Sequence, residues 1–267
     1  MSGFRARELE ALKAKIAALE TGGREESESM SLGDPRLDDR FLNRGLPLGH
    51  WHEFSGEGLE VETGISAAAF AACLAAPLAR RGEAVWVLRR DDLFAPGLAG
   101  LGFPAERLIQ VCARDEAEAL AVTEDALATQ GVAAVFTEVE TVDLTAGRRL
   151  QLACERRGAT GFVIRRRPYG GTGRKETAGS AAATRWRIAP APSEPGPGEF
   201  GLGPPRWEVR LDRCRGGRPG AWLMEAPNAY GEAAYTYEVN DGTHPLRLVA
   251  ELGDRQLASA QPLRLSA

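Results

Sequence analysis

The chain has 267 residues, enough to bury a sizeable core in one large domain or two small ones. Hydrophobic residues make up 43% of it and charged residues 26%, a balance typical of soluble globular proteins, and no apolar run approaches a membrane span. The formal net charge of −4 argues, taken alone, against a nucleic-acid-binding protein. The N-terminus is charged and has no signal-peptide pattern, so we expect a cytoplasmic protein.

Residues 1–30 are expected to form an N-terminal amphipathic helix followed by a linker. Within residues 4–20, four apolar side chains recur at heptad-like spacing between alternating charges, namely Leu9, Leu12, Ile16 and Leu19. A lone helix of this length is marginal in water, so this stripe needs a surface to pack on. That surface could belong to the helix's own domain or to another protein. Residues 21–30, TGGREESESM, are polar and acidic, as linkers are.

From residue 31 to residue 226 the chain alternates strand-like and helix-like patterns. Strands are expected at 51–54, 84–88, 108–112, 133–137 and 161–164, and helices at 65–80, 115–130 and 143–157. Apolar strands separated by helices predict an α/β fold with a mostly parallel sheet flanked by helices. Further strands are expected at 184–188, 207–211 and 221–225, the last two as an antiparallel hairpin. Residues 227–267 are polar, with one candidate strand at 235–239, and predict a loosely held C-terminal extension.

The turn between the first core strand and its helix has the layout of a phosphate-binding loop. Such loops carry a glycine, four residues and then Gly-Lys-Ser/Thr. Here Glu62 stands where the lysine belongs, and Thr63 keeps the hydroxyl position. A unit charge about 4 Å away contributes roughly 4 kcal/mol at an effective dielectric near 20, and a carboxylate reverses its sign toward phosphate. The sequence predicts a degenerate nucleotide loop without a bound cofactor, formed by Gly56, Glu57, Gly58, Glu60, Glu62 and Thr63.

No metal site is predicted. The four cysteines are widely scattered, without a C-x-x-C pair, which indicates buried free thiols rather than a zinc cluster or a disulfide framework. His50 and His52 could share one face of a strand, but the second histidine of an H-E-x-x-H motif is absent.

Several stretches of the chain resemble known proteins. The run SLGDPRLDDRFLNRGLPLGHWHEFSG resembles the segment that leads into the phosphate-binding loop of RecA-type recombinases. The runs VDLTAGRRLQLACERRGATGFVIRR, SAAATRWRIAPAPSE and RWEVRLDRCRGGRPGAWLMEA resemble the ImuA family, and the similarity spans about residues 31–226. This family is RecA-like and belongs to a bacterial damage-inducible mutagenesis cassette with ImuB and a DnaE-type polymerase. The resemblance implies a RecA-like fold of the P-loop NTPase type, with an antiparallel hairpin extension.

The same resemblance implies an accessory or adaptor protein of an error-prone translesion DNA synthesis complex in the DNA-damage (SOS) response. The implied partners are an ImuB-type polymerase homologue, a DnaE-type polymerase, RecA and single-stranded DNA, together with other copies of the chain. In RecA relatives the N-terminal helix docks on the neighbouring protomer, so the stripe of apolar residues in residues 4–20 is the candidate protein-binding element. No membrane partner is implied.

Departures from working RecA enzymes predict that the chain is not an enzyme. Glu62 replaces the lysine, and the strand at 132–139 holds no metal-orienting aspartate, although Glu138 could substitute after a one-residue shift. The glutamate that activates water is matched only by Asp91 or Asp92. Catalysis of phosphoryl transfer depends almost wholly on positioning and on charge stabilisation, so a site that lacks the lysine cation is not expected to catalyse it.

Two alternatives to an adaptor remain open. The first is a weak DNA-dependent ATPase or recombinase mediator that uses Thr63, Glu138 and Asp91. The second is a SulA-like cell-division inhibitor, because proteins with that label occur among the sequences the chain resembles.

A basic segment is the candidate DNA-binding region. Eleven basic residues lie between residues 145 and 187, against two acidic ones. In a RecA-like topology, residues 168–181 are the counterpart of the second DNA-binding loop. The basic residues nearest this loop are expected to converge, with one tyrosine able to stack on a base: Arg165, Arg166, Arg167, Tyr169, Arg174, Lys175, Arg185 and Arg187. A solvated edge and a surface for an acidic protein are the alternatives.

Overall fold

Alternating strands and helices make up most of the part of the chain that the structure describes. The computed structural model describes residues 28–58, 60–166, 180–196, 198, 200–227 and 244–252, without the side chains of residues 60–64. The helices are α1 (Pro35–Asp38), α2 (Glu60–Ala79), α3 (Ala95–Ala99), α4 (Glu116–Leu127) and α5 (Leu144–Arg157), with a 3-10 turn at Ala105–Arg107. The strands are β1 (Ser29–Met30), β2 (Leu46–Pro47), β3 (Trp51–Gly56), β4 (Glu83–Leu88), β5 (Leu108–Cys112), β6 (Val132–Val139), β7 (Thr160–Arg165), β8 (Thr184–Ala191), β9 (Arg206–Cys214), β10 (Gly220–Glu225) and β11 (Arg247–Glu251).

The main sheet is parallel over most of its width. Its strand order is β11-β10-β9-β8-β3-β7-β6-β4-β5. The strands from β8 to β5 are parallel to one another, whereas β9, β10 and β11 each run antiparallel to their neighbours. The predicted mostly parallel sheet and the predicted β9–β10 hairpin are therefore both confirmed, and β3 lies at the centre with β7 and β8 beside it.

Helix α2 packs an alanine-rich surface against one face of the sheet. Its alanines are buried, except for the partly exposed Ala69, and so is Phe70. The small side chains let the helix approach the aromatic residues of the strands closely. Phe54 of β3 and Trp186 of β8 stack with their ring centroids 6.2 Å apart, and Phe70 lies 6.0 Å from Trp186. Although α2 has 20 residues, no helix of the described residues is long and apolar enough to cross a membrane.

Helices α4 and α5 cover the opposite face. Trp51 of β3 points to this side, and its indole N–H donates a 3.0 Å hydrogen bond to the carbonyl of Gly147 in α5. A Cβ at Gly147 would lie 3.1 Å from the Trp51 ring, so glycine permits this close approach. Asp115 and Asp143 cap the two helices by accepting hydrogen bonds from backbone amides three residues on, which fixes where each helix begins.

The beginning of α2 differs from the sequence expectation. The helix begins at Glu60, five residues before the predicted position 65, whereas α4 and α5 begin within one residue of their predicted positions. Acidic residues are favourable near a helix N-terminus because of the helix dipole, and residues 60–64 include two glutamates. The glycines and carboxylates that suggested a loop therefore partly belong to the first turn of a helix.

Residues 244–252 join the core, which corrects the predicted boundary of the core at residue 226. Strand β11 pairs antiparallel with β10 at the end of the sheet. The imidazole Nε2 of His244 donates a 3.0 Å hydrogen bond to the Leu74 carbonyl of α2, and Leu246 and Leu248 are buried. The predicted strand at 235–239 lies outside the described residues. At the other end, Ser29 and Met30 pair with β2, so the predicted linker ends before residue 29.

Leu246→Ala tests whether this segment is part of the core. Because Leu246 is 4% exposed, its truncation should lower the free energy of unfolding by about 2–5 kcal/mol. The matched control is Leu202→Ala, since Leu202 is 95% exposed, and it should change that free energy by less than about 0.5 kcal/mol. Denaturant unfolding measures both. If both variants changed the free energy of unfolding by the same small amount, residues 244–252 would be a loosely held extension and not part of the core.

Candidate functional site

The turn after β3 is short and tied to the neighbouring strand. The amide of Glu57 donates a 2.9 Å hydrogen bond to the carbonyl of Ile188 in β8, and Gly58 adopts a left-handed backbone with φ of 112°. Helix α2 begins two residues later. A phosphate cradle needs successive backbone amides that point at the anion from a non-helical loop. The turn is too short for the eight-residue loop of the usual formula, and the side chains of Glu60, Glu62 and Thr63 lie outside the description.

An arginine neutralises the carboxylate that could have substituted for the metal-orienting aspartate. One carboxylate oxygen of Glu138, at the end of β6, accepts a 3.0 Å hydrogen bond from the indole N–H of Trp86. The other accepts a 2.8 Å hydrogen bond from the guanidinium of Arg166. The same guanidinium binds both oxygens of Asp92, each at 3.1 Å. Arg166 thus occupies the place between two carboxylates that a divalent cation would need.

The burial of Glu138 perturbs its titration. The residue is 4% exposed, and loss of solvation raises the pKa of its carboxyl above the ordinary value of 4.5. The charge and hydrogen bond of Arg166 act in the opposite direction, and so does the hydrogen bond from Trp86. The carboxylate is therefore costly to keep charged, and Arg166 is the group that offsets this cost.

A second buried carboxylate, Glu53 in the middle of β3, anchors the segment between β7 and β8. One of its oxygens accepts a 3.0 Å hydrogen bond from Arg165, the last residue of β7. The other accepts a 2.8 Å hydrogen bond from the hydroxyl of Ser180, which precedes β8, and lies 3.5 Å from Nε of Arg185. Both ends of the segment 166–180 are thus attached to one side chain. Glu53 is not among the site residues predicted from the sequence, although a lone glutamate within the strand candidate Trp51–Phe54 is a signal for a buried ion pair.

The candidate DNA-binding arginines that the structure describes all bind carboxylates. Arg165 and Arg185 converge on Glu53 because β7 and β8 flank β3 in register, and Arg166 binds Glu138 and Asp92. Arg187 binds Asp212 of β9, with 2.7 Å between Nη2 and Oδ1, and lies 3.6 Å from Glu57. Among the described residues only Arg165 and Arg185 therefore share a partner, and each of the four arginines is paired with an acidic side chain that neutralises its charge.

The remaining predicted residues cannot be placed. Arg167, Tyr169, Arg174 and Lys175 lie outside the described residues, and so does the whole N-terminal stripe of Leu9, Leu12, Ile16 and Leu19. Their proposed roles rest on the sequence alone.

The histidines and cysteines serve structure. His52 is fully buried, receives a 2.7 Å hydrogen bond from Thr184 at Nδ1 and donates one of 3.0 Å to the carbonyl of Pro47. Burial lowers the pKa of His52 to about 3, so the ring is neutral at physiological pH. Burial also raises the pKa of the Cys154 thiol to about 12, and the four cysteines are free. Among the described residues no group of three or more potential ligands could hold a metal ion.

Removing Arg166 should destabilise the fold in a pH-dependent way. Arg166→Ala leaves the Glu138 carboxylate buried without its cation, at a cost of about 3 kcal/mol in the free energy of unfolding near pH 8. Without the cation the pKa of Glu138 in the folded state rises further. The folded variant is then less destabilised at low pH, where Glu138 is protonated, and more destabilised as the pH rises through that pKa and the buried carboxylate becomes charged. The deficit relative to the parent chain should therefore shrink between pH 8 and pH 5. Denaturant unfolding at the two pH values measures it.

The double variant Glu138→Gln/Arg166→Ala is the control. Glutamine keeps the size of the side chain and removes the charge, so the double variant should lose less stability near pH 8 than Arg166→Ala alone. A deficit of equal size at both pH values, unchanged by Glu138→Gln, would mean that Arg166 acts through packing only.

Comparisons with known proteins bear on the fold and on the family. The chain shares its fold with a crystal structure of the RadB recombinase, with a TM-score of 0.50 at 15% sequence identity over 73% of this chain and 95% of that one. At that identity the likeness shows the fold alone, and it confirms the predicted RecA-like class. No family model matches the sequence.

Two curated relatives are much more similar in sequence. They are Protein ImuA from Caulobacter vibrioides strain NA1000 / CB15N and Protein ImuA from strain ATCC 19089 / CIP 103742 / CB 15. Each is 57% identical to the chain over 248 residues, which cover 91% of this chain and 98% of the relative. This extent and identity confirm the resemblance found in the sequence: the chain belongs to the ImuA family.

Proposed function

We propose that the chain is a non-enzymatic, RecA-fold accessory protein of an error-prone translesion DNA synthesis complex in the bacterial DNA-damage response, acting in the cytoplasm. The observation that carries the non-enzymatic part is the guanidinium of Arg166, which binds Glu138 at 2.8 Å and Asp92 at 3.1 Å. A magnesium ion placed on these oxygens would be repelled by the guanidinium that already binds them. The mutagenesis role rests on membership of the ImuA family.

The turn after β3 supports the same proposal. A triphosphate brings several negative charges, and the sequence around this turn adds the carboxylates of Glu57, Glu60 and Glu62 without a lysine. The side chain of Glu57 already lies 3.6 Å from the guanidinium of Arg187. The nearest cations at this edge are therefore engaged with protein carboxylates, so an ATPase would need to rearrange several ion pairs before it could bind nucleotide.

Calorimetry should detect no binding of Mg-ATP to the purified chain. The variant Glu62→Lys should not restore it, because the guanidinium of Arg166 still fills the space between Glu138 and Asp92. Micromolar binding by the parent chain that Thr63→Ala abolishes would contradict the proposal and would favour the weak ATPase.

The proposed protein partner is an ImuB-type polymerase homologue, bound through the N-terminal segment. The stripe of Leu9, Leu12, Ile16 and Leu19 is preceded and followed by charges, and its burial could contribute roughly 6–10 kcal/mol before ordering costs. A DnaE-type polymerase, RecA and further copies of the chain are additional candidates, because they are implied by the same family context.

Deletion of residues 1–22 should weaken co-purification with the ImuB-type protein of the same genome. The core should stay folded, because every described strand and helix lies beyond the deletion. Co-expression and size-exclusion chromatography measure the association, and thermal unfolding checks the core. Unchanged association would assign the N-terminal stripe to packing on its own core.

Single-stranded DNA is the proposed nucleic-acid partner, with a narrower set of contacts than the sequence predicted. Because Arg165, Arg166, Arg185 and Arg187 bind carboxylates, we assign the DNA contacts to the residues of the intervening segment, Arg167, Tyr169, Arg174 and Lys175. The ion pairs on Glu53 then hold the two ends of this segment at the central strand. In this arrangement the arginines of the strands position the segment and contribute little net positive charge.

Arg174→Ala/Lys175→Ala should flatten the salt dependence of DNA binding. Each phosphate contact on a single strand contributes about −0.7 to the slope of log K against log salt, so the slope should become less steep by about 1.4. The control Arg148→Ala/Arg156→Ala removes two exposed arginines from the outer surface of α5. It should leave the slope unchanged. Fluorescence anisotropy with a labelled oligothymidine gives the slopes. Equal slopes for the parent chain and Arg174→Ala/Lys175→Ala would remove DNA from the proposal.

A further inference from the structure

Where the structure describes the basic segment, its unpaired and exposed arginines lie on α5 rather than at the sheet edge. Arg148, Arg156 and Arg157 are exposed, and within the described ranges none of them forms an ion pair or a hydrogen bond. Arg149, the fourth arginine of the helix, binds Glu124 of α4 at 2.7 Å. The described strand arginines are neutralised by carboxylates, so among the described residues of 145–187 the arginines without a carboxylate partner are on α5.

Two large apolar side chains lie on the same outer surface. Leu144 is 49% exposed and Leu152 is 58% exposed, and Arg148 stands halfway between them. Residues four apart lie above one another on one side of a helix, so these three form a single stripe about 12 Å long that leads toward Arg156. The inner surface of α5, with Leu150 and Cys154, is buried against the sheet, so the stripe points away from the protein's own core.

We propose that the outer surface of α5, formed by Leu144, Arg148, Leu152 and Arg156, docks an acidic amphipathic helix of a protein partner. Leucines two turns apart match apolar side chains that recur every three or four residues on a partner helix. The arginines on and beside the stripe match carboxylates placed around those apolar positions. The surface therefore selects a partner by its pattern as well as by its charge.

A nucleic acid fits this surface less well. A phosphate backbone would satisfy the arginines but would leave Leu144 and Leu152 facing charged and solvated groups. Aromatic side chains that stack on bases, a usual feature of single-strand binding, are absent from α5, whose residues are LTAGRRLQLACERR. The exposed leucines are the observation that favours a protein.

The test uses the full-length chain and a labelled synthetic peptide of about 18 residues, or five helical turns. The peptide carries leucine at positions i, i+3, i+4 and i+7 of its repeat and mostly glutamate elsewhere. A second peptide has the same composition with the leucines scattered around the helix. Fluorescence anisotropy should show that the chain binds the patterned peptide about tenfold more tightly than the scattered one.

Variants locate the binding on α5. Leu152→Ser and, separately, Arg148→Glu/Arg156→Glu should each weaken binding of the patterned peptide by about tenfold. Leu202→Ser replaces another exposed leucine, and Arg44→Glu/Arg107→Glu makes the same change in net charge elsewhere, so both should bind like the parent chain. All these side chains are at the surface, and circular dichroism confirms that each variant folds.

Three outcomes would overturn the proposal. The first is equal binding of the two peptides, which would show attraction by charge alone. The second is an unchanged affinity in Leu152→Ser, or no binding of the patterned peptide. The third is an oligothymidine that binds more tightly than the patterned peptide and loses affinity in Arg148→Glu/Arg156→Glu but not in Leu152→Ser, which would assign α5 to nucleic acid.

Discussion

Two carboxylates buried within the sheet, Glu53 and Glu138, set the constraint on which the rest of this structure depends. Each would be costly to bury as an unpaired charge, and each is met by one of two consecutive arginines at the end of β7. Side chains alternate between the faces of a strand, so Arg165 reaches Glu53 on the side of α4 and α5, whereas Arg166 reaches Glu138 on the side of α2. Two consecutive arginines thus neutralise one buried carboxylate on each face of the sheet.

This arrangement places positive charge at the carboxyl edge of the sheet without a ligand. Here the cations are built into the chain, and Trp86, Asp92 and Ser180 complete the hydrogen bonds around them. These contacts join side chains of β3, β4, β6 and β7 at this edge, and this built-in neutralisation supports the proposed non-enzymatic role.

Much of the fold could be predicted because its signals are local. The apolar runs gave the bounds of β5 as they stand, and the aspartate caps located α4 and α5. The start of α2 was misplaced, since glycines and glutamates suit both a loop and a first helical turn. Strand β11 was not predicted because Arg247–Glu251 is short and polar at both ends, so its sequence shows little alternation of apolar and polar residues.

The ion pairs of the site could not be predicted, for a physical reason. Arg165 and Ser180 follow Glu53 by 112 and 127 residues, and only the order of strands in the sheet brings them together. An arginine-rich segment looks the same in sequence whether its charges are solvated, bound to phosphate or paired with carboxylates. The carboxylate partners distinguish these cases, and they are spread over β3, β6, β9 and the loop after β4.

The late position of β11 also bears on how the protein is made. A growing chain that has emerged only as far as Glu225 has all of the parallel strands but leaves β10 as an open edge, and the carbonyl of Leu74 lacks the imidazole of His244. An unpaired edge strand is a template for strand addition by other chains. Synthesis must therefore reach residue 251 before β10 has its second neighbour, and prematurely terminated chains would expose β10 to aggregation or proteolysis.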